Sequence, residues 1–234
     1  MLRDEEVERA LVVCAHPDDV DFGAAGTVAG WTDAGVEVSY CLVSDGDAGG
    51  FDPSVPRSEI GAIRRGEQTA AAKEVGVTDL HWLGFPDGYL TVTLELRKAI
   101  ARVIRQVRPQ RVLTQSPQRN YQRVFASHPD HLATGEATLC AVYPDSRNEF
   151  WMPDLVAEEG LAPWSVSEVW LMACPRSTGS STSPPRSTAR WRRSAGTCRS
   201  TPTDPRSRSG CACGSAPAPR RPASPAAPTP RRSR

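Results

Sequence analysis

The chain has 234 residues, 28 Lys and Arg against 27 Asp and Glu, a formal net charge of +1 and 39% apolar residues. That length admits one large domain, or one domain with an appendage, and the averaged composition excludes a strongly basic nucleic-acid binder and an acidic disordered chain. The average conceals two unlike segments. Residues 1–174 hold 15 basic and 26 acidic side chains, a net of −11, whereas residues 175–234 hold 13 Arg and one acid, Asp204, a net of +12. The second segment has no Leu, Ile, Val, Phe, Met or Tyr, and 23 of its 60 residues are Pro or Ser. Such a segment cannot bury enough apolar surface to offset chain entropy of roughly 1–2 kcal/mol per residue, so it is expected to be disordered. The foldable domain is residues 1–174, which is long enough for a sizeable core.

Elements are read in chain order. Residues 10–15 (ALVVCA) form a short continuous apolar run, as a strand buried on both faces should. A Gly/Ala-rich stretch, 21–34, suits a helix packed closely on a sheet, and EVSYCLVS (37–44) is a second strand. Residues 58–75 predict a helix with apolar positions Ile60, Ile63, Ala70, Ala71 and Val75 and a stop at Gly76. LHWLGF (80–85) is a third strand, ended by the turn signature Pro86-Asp87-Gly88. Residues 93–108 give the clearest helix: Leu96, Ile100, Val103, Ile104 and Val107 share one face, and Arg97, Lys98, Arg105 and Arg108 are expected in solvent. Pro109 ends it. RVLTQS (111–116) is a fourth strand, 131–143 a helix, and EVWLMA (168–173) a fifth strand. This alternation predicts an α/β fold with a parallel, doubly wound sheet.

Seven cysteines, an odd number, show no disulfide framework. Cys14 and Cys41 lie in apolar runs and read as core residues, and Cys211 and Cys213 form a lone C-x-C, a weak metal signal. The first ten residues are acidic and no run approaches the 18 or so apolar residues of a membrane span, so the expectation is a cytoplasmic protein without a signal peptide or membrane partner.

In such sheets ligands bind beyond the carboxyl ends of the strands. The residues just after the predicted strands are His16-Pro17-Asp18-Asp19, Ser44-Asp45-Gly46-Asp47, Pro86-Asp87-Gly88 and, after a loop, His128-Pro129-Asp130-His131. Three of the four histidines fall in these tips; His81, inside a strand, is the exception and reads as a packed or face residue. Two imidazoles and a carboxylate, here His16, His131 and Asp19, are a common three-ligand set for catalytic zinc, although iron suits the same donors. A second carboxylate, Asp18, suits a general base, and His128 suits stabilisation of an oxyanion or protonation of a leaving amine. That set describes amide or ester hydrolysis. Singly, each motif is an ordinary turn or a chance H-x-x-H; two of them after strands of one sheet are much harder to ascribe to chance. Asp45 and Asp47 read equally well as solvated turn formers, and Arg64 and Glu67 as a surface ion pair.

Ala15-His16-Pro17-Asp18-Asp19 after an apolar strand, with His128-Pro129-Asp130-His131 over a hundred residues later, resembles the LmbE-like (PIG-L) deacetylases. The resemblance runs from about residue 9 to 173. It implies a Rossmann-like three-layer sandwich with a mainly parallel sheet, and zinc-dependent removal of an N-acetyl group from a small molecule containing N-acetylglucosamine. By the same resemblance His16, Asp19 and His131 correspond to the zinc ligands, Asp18 to the general base and His128 to the histidine that assists the transition state. The family's R-x-x-E pattern is matched by Arg64 and Glu67 and its Pro-Asp-Gly turn by residues 86–88, which makes Arg64 and Asp87 candidate sugar-binding residues. Some members carry a Tyr two residues before the first histidine of the second motif; that position is Ala126, leaving Tyr121 or His128 to serve, or the role absent.

After EVWLMA the chain departs from the family, whose members continue with a further strand and helix. With free choice of synonymous codons, the third-base frame of residues 174–204 can spell a stretch containing RFVDIT and an amphipathic helix. The tail is therefore expected to be an out-of-frame translation from a GC-rich, bacterial gene, with the family's C-terminal part missing. Two alternatives stand beside the deacetylase: a truncated, unstable or inactive member that only binds metal, and salt-dependent polyanion association through the basic tail, without sequence-specific nucleic-acid recognition. The residues name neither the sugar acceptor nor an oligomeric state.

Overall fold

The computed structural model describes residues 1–50, 52–124 and 127–175; the tail expectations lie outside them. The elements are β1 (Arg9–Cys14), α1 (Asp19–Gly23), α2 (Ala25–Asp33), β2 (Glu37–Ser44), α3 (Arg57–Glu74), β3 (Asp79–Phe85), α4 (Leu94–Val107), β4 (Arg111–Gln115), α5 (Pro129–Cys140), α6 (Pro153–Ala157) and β5 (Glu168–Met172). The five strands form one sheet in the order β3-β2-β1-β4-β5, and every neighbouring pair is parallel. The strand order reverses between β1 and β4, and in sheets of this kind ligands bind beyond the carboxyl ends of the strands at such a point. Among the described residues, no helix is long and apolar enough to cross a membrane.

Alternate residues of β1 feed two cores, which is why its sequence is a continuous apolar run. Leu11, Val13 and Ala15 join Leu96, Ile100 and Ile104 of α4, Ala133 and Ala137 of α5 and Leu155 of α6. Ala10, Val12 and Cys14 join Val20, Val28, Trp31 and Ala72 on the other face. Cys14 and Cys41 are buried thiols in these cores, and burial raises both, Cys41 to about 12.

Three local expectations change. The Gly/Ala-rich stretch is two helices, broken at Ala24 (φ −147°, ψ 0°). Helix α3 turns the row Gln68–Ala72 inward and leaves Ile63 48% exposed, because Arg64 and Gln68 find polar partners in the loop after β1. Arg105, expected in solvent, is 2% exposed. Its guanidinium donates to the carbonyls of Asp145, Ser146, Asn148 and Leu161 and so tethers the chain that follows α5. Arg97 likewise pairs with the buried Asp145 carboxylate. Helical periodicity registers their charge but not these remote acceptors.

At the opposite end of the sheet, the wholly buried Arg111 lies between the rings of Trp31 and Trp170, 5.0 and 4.4 Å from their centroids. It donates to Glu168 and Asp4, both at 2.6 Å, and to the Leu2 carbonyl at 3.0 Å.

Candidate metal centre

The loop after β1 must reverse sharply to start α1, and it does so with Asp18 in a left-handed conformation (φ 84°, ψ −23°). Left-handed backbone is unfavourable for a residue with a Cβ and persists where surrounding contacts fix it. Two side chains one turn apart on α3 supply those contacts. Gln68 Oε1 accepts from the Asp18 N–H at 2.6 Å. Arg64 donates to the Pro17 carbonyl at 2.7 Å and to Asp18 Oδ2 at 2.9 Å, and reaches the Gly49 carbonyl at 3.0 Å. Arg64 therefore pairs with Asp18, and Glu67 is exposed.

His16, Asp19 and His131 meet beyond the carboxyl ends of β1 and β4. His131 Nε2 is 3.0 Å from Asp19 Oδ1 and 3.3 Å from His16 Nδ1, and His16 Nδ1 is 3.6 Å from Asp19 Oδ2. Tetrahedral bonds of about 2.0–2.1 Å put neighbouring donors roughly 3.3 Å apart, so the two contacts of His131 Nε2 and this donor chemistry fit a small divalent cation, with His16 meeting Asp19 through its other oxygen. Asp19 is fixed from behind: its Oδ2 accepts from the His16 backbone N–H at 2.8 Å and from Gln115 Nε2 at 2.7 Å.

The other nitrogen of His16 faces carboxylates. Nε2 is 3.0 Å from Asp87 Oδ1 and 3.1 Å from Asp130 Oδ2, the arrangement by which a carboxylate orients a ligating imidazole. Asp130, 0% exposed, also accepts from the N–H groups of Gly88 (2.7 Å) and Leu90 (3.2 Å), which ties the turn after β3 to the start of α5. Asp87 Oδ2 accepts from the Ala48 N–H at 3.0 Å, and the Asp87 N–H donates to Asp47. Asp45 pairs with Arg65 and Asp47 with Arg57, so neither is merely a solvated turn former.

His128 is the N-cap of α5; its Nδ1 accepts from the Asp130 N–H at 3.2 Å, which leaves the ring proton on Nε2. Its ring centroid lies 5.1 Å from His16 and 5.4 Å from His131. Ring nitrogens of the three histidines, and donor atoms of His16, Asp87 and Asp130, each lie within 4.8 Å of one another. Helix α5 approaches β4 closely because residue 135 is Gly: a Cβ there would meet the Gln115 carbonyl and the Pro117 nitrogen.

The electrostatics follow from this packing. Burial alone would lower His16, but Asp19, Asp87 and Asp130 outweigh it and push the imidazole up to about 9. Burial would raise Asp19, yet the bonds to His131 and His16 hold it well below the usual carboxylate range. Asp18 is raised, chiefly by burial, against the opposing charge of Arg64. His128 is lowered by burial and by His16. A cation binding these ligands displaces the His16 proton.

All seven residues singled out in the sequence border this one region: His16, Asp18, Asp19, His128 and His131 directly, Asp87 through His16 and Arg64 through Asp18. Tyr121 is 83% exposed, and Ala126 lies outside the described residues. The sequence reading missed Asp130, Gln115 and Gln68. Asp130 stood inside a motif already noticed and Gln115 ended a predicted strand, but neither carried a metal-ligating or charge pattern of its own. His81 is on β3, bonded to Asp79 at 3.0 Å.

The fold and site together define a parallel α/β protein with a cluster of His and Asp side chains that could hold a metal ion at the switch point of its sheet. The chain belongs to the PIG-L family, described as GlcNAc-PI de-N-acetylase, whose model matches residues 11–142. It is 37% identical over 164 residues to a diacetylchitobiose deacetylase of Thermococcus kodakarensis, covering 70% of this chain and 59% of the relative. It is 34% identical over 137 residues to a probable N-acetyl-alpha-D-glucosaminyl L-malate deacetylase 2 of Bacillus anthracis, covering 56% and 58%. Among solved structures it resembles N,N'-diacetylchitobiose deacetylase from Pyrococcus horikoshii in complex with an inhibitor, with a TM-score of 0.66, 34% identity, and coverage of 72% of this chain and 61% of that one. The chain thus spans about three fifths of the length of these relatives.

Proposed function

We propose that the protein is a zinc-dependent N-deacetylase that hydrolyses the acetamide of an N-acetylglucosamine-containing small molecule, releasing acetate and the free amine. The observation that carries this reading is the His16–Asp19–His131 donor triangle, with Asp18 adjoining it, at the crevice of the sheet. Relatives named as deacetylases of such compounds support it. His16, Asp19 and His131 would hold the metal, and iron(II) suits the same donors. A bound zinc ion supplies Lewis acidity, polarising the scissile carbonyl and making water acidic enough to attack near neutral pH.

The chain's own groups do the rest. Asp18, held by Arg64 and Gln68, accepts the proton of the attacking water. His128, with Nδ1 engaged by the Asp130 N–H, presents Nε2–H to the oxygen on which charge develops. Arg64 and Asp87 are assigned contacts with sugar hydroxyls, beside the contacts they make to Asp18 and His16.

The test is acetate release by the zinc-loaded protein from a panel of N-acetylglucosamine conjugates. Asp18→Asn is expected to keep about one zinc per chain while kcat falls about 10²–10⁴-fold. A purified chain that takes up no divalent metal after zinc addition refutes the reading.

A further inference from the structure

Gln115 is the last residue of β4 and is 3% exposed. Its amide spans the switch point. Oε1 accepts from the backbone N–H of Ala15 at 3.1 Å, and Nε2 donates to Asp19 Oδ2 at 2.7 Å. The two ends of this amide are not interchangeable, because Ala15 N–H is a donor and Asp19 is an acceptor. The flip of the Gln115 side chain is therefore set by the backbone of β1, and its N–H₂ has one direction open to it.

The consequence falls on Asp19. A carboxylate has two equivalent oxygens and rotates freely unless one of them is committed. Here Oδ2 carries the Gln115 amide and the His16 N–H, while Oδ1 is the atom 3.0 Å from His131 Nε2. We propose that Gln115 is a positioning residue for the metal centre: it clamps one oxygen of Asp19 so that the other faces the imidazole of His131. This rests on the metal-binding reading above. A structural role alone, satisfying the buried Ala15 N–H, would call for the Oε1 contact but not for the contact to Asp19.

The test is a double-mutant cycle in zinc affinity, measured by competition with a chromophoric chelator on the full chain. Partners that orient a ligating side chain are worth about 10–100-fold in affinity. Gln115→Met is expected to weaken zinc binding by that factor when Asp19 is present. In the Asp19→Asn background the same change should cost less than about threefold, since there is no carboxylate left to clamp. Gln115→Asn keeps an amide in the pocket but is one methylene too short to span both partners, and should lose the same factor as Gln115→Met. Thermal unfolding in a chelating buffer, free of metal, shows that each variant is folded.

An equal loss in both backgrounds overturns the proposal, because the effect then does not pass through Asp19. Zinc affinity within about threefold of the unaltered chain in either Gln115 variant also overturns it. These results leave the metal reading intact, whereas failure of the unaltered chain to bind zinc removes that reading and the role of Gln115 with it.

Discussion

Asp130 offers the sharpest test of how the site is built. Its carboxylate is 0% exposed, accepts two backbone N–H groups from the turn after β3, and stands 3.1 Å from His16 Nε2. Asp130→Asn preserves shape and volume but turns one acceptor into a donor. Whichever way the new amide is flipped, its N–H₂ meets either the half-buried Gly88 N–H or the buried Leu90 N–H, and that donor loses its acceptor. A hydrogen bond to a charged group is worth about 1.5–3 kcal/mol, and an orphaned buried polar group costs about 1–3 kcal/mol. The retained bond also weakens when its acceptor becomes neutral. The expected loss is about 2–4 kcal/mol. For a domain of this size that lowers Tm by about 5–15 °C. Urea unfolding followed by circular dichroism, in chelating buffer so that metal binding does not contribute, measures it as a lower midpoint at unchanged slope. A loss under about 0.5 kcal/mol would refute the view that this carboxylate ties the Pro86–Leu90 turn to α5.

Gly135→Ala sets two effects of opposite sign against each other. Helix propensity favours Ala by about 1 kcal/mol, but the added methyl meets the backbone of Gln115 and Pro117, which cannot rotate aside. Overpacking of this kind costs about 1–3 kcal/mol, so a lower Tm and weaker zinc binding are expected, the latter because α5 carries His131; a raised Tm would show that the helix has room. Arg111→Met should cost about 3–5 kcal/mol in urea unfolding at neutral pH, since it leaves the largely buried Glu168 carboxylate without its cation. Burial would raise Glu168, but the Leu2 N–H and Arg111 outweigh it and lower the carboxyl. A lowered folded pKa contributes stability above the unfolded value and loses it as pH falls through the folded one. The unaltered chain should therefore lose more stability than Arg111→Met as pH drops below the ordinary Glu range, and parallel pH curves would count against the pairing.

Strand β2 and helix α4 were legible because each is governed by contacts along its own length: an apolar run in one, an apolar stripe with Thr93 as N-cap in the other. The grouping of His16, Asp18, Asp19, His128 and His131 was legible because two such motifs after strands of one parallel sheet are hard to ascribe to chance. Gln68 and Gln115 were not. An amide has no charge and no periodicity, and its role is set by partners 47 and 50 residues away for Gln68 and by partners 96 and 100 residues away for Gln115. Arg105 was misread for the same reason, since its acceptors are carbonyls supplied by a segment 40 to 56 residues on.

Residue types and their spacing by themselves determined the alternating α/β plan, the strands buried on both faces and which His and Asp side chains gather at the strand ends, because burial and side-chain chemistry are properties of individual residues. Tertiary structure alone decided which oxygen of Asp19 faces His131, which nitrogen of His16 meets the carboxylates, and that the left-handed turn at Asp18 is held from α3. Those are matters of orientation, fixed by hydrogen bonds between elements that meet only when β1 and β4 lie side by side and the helices pack over them.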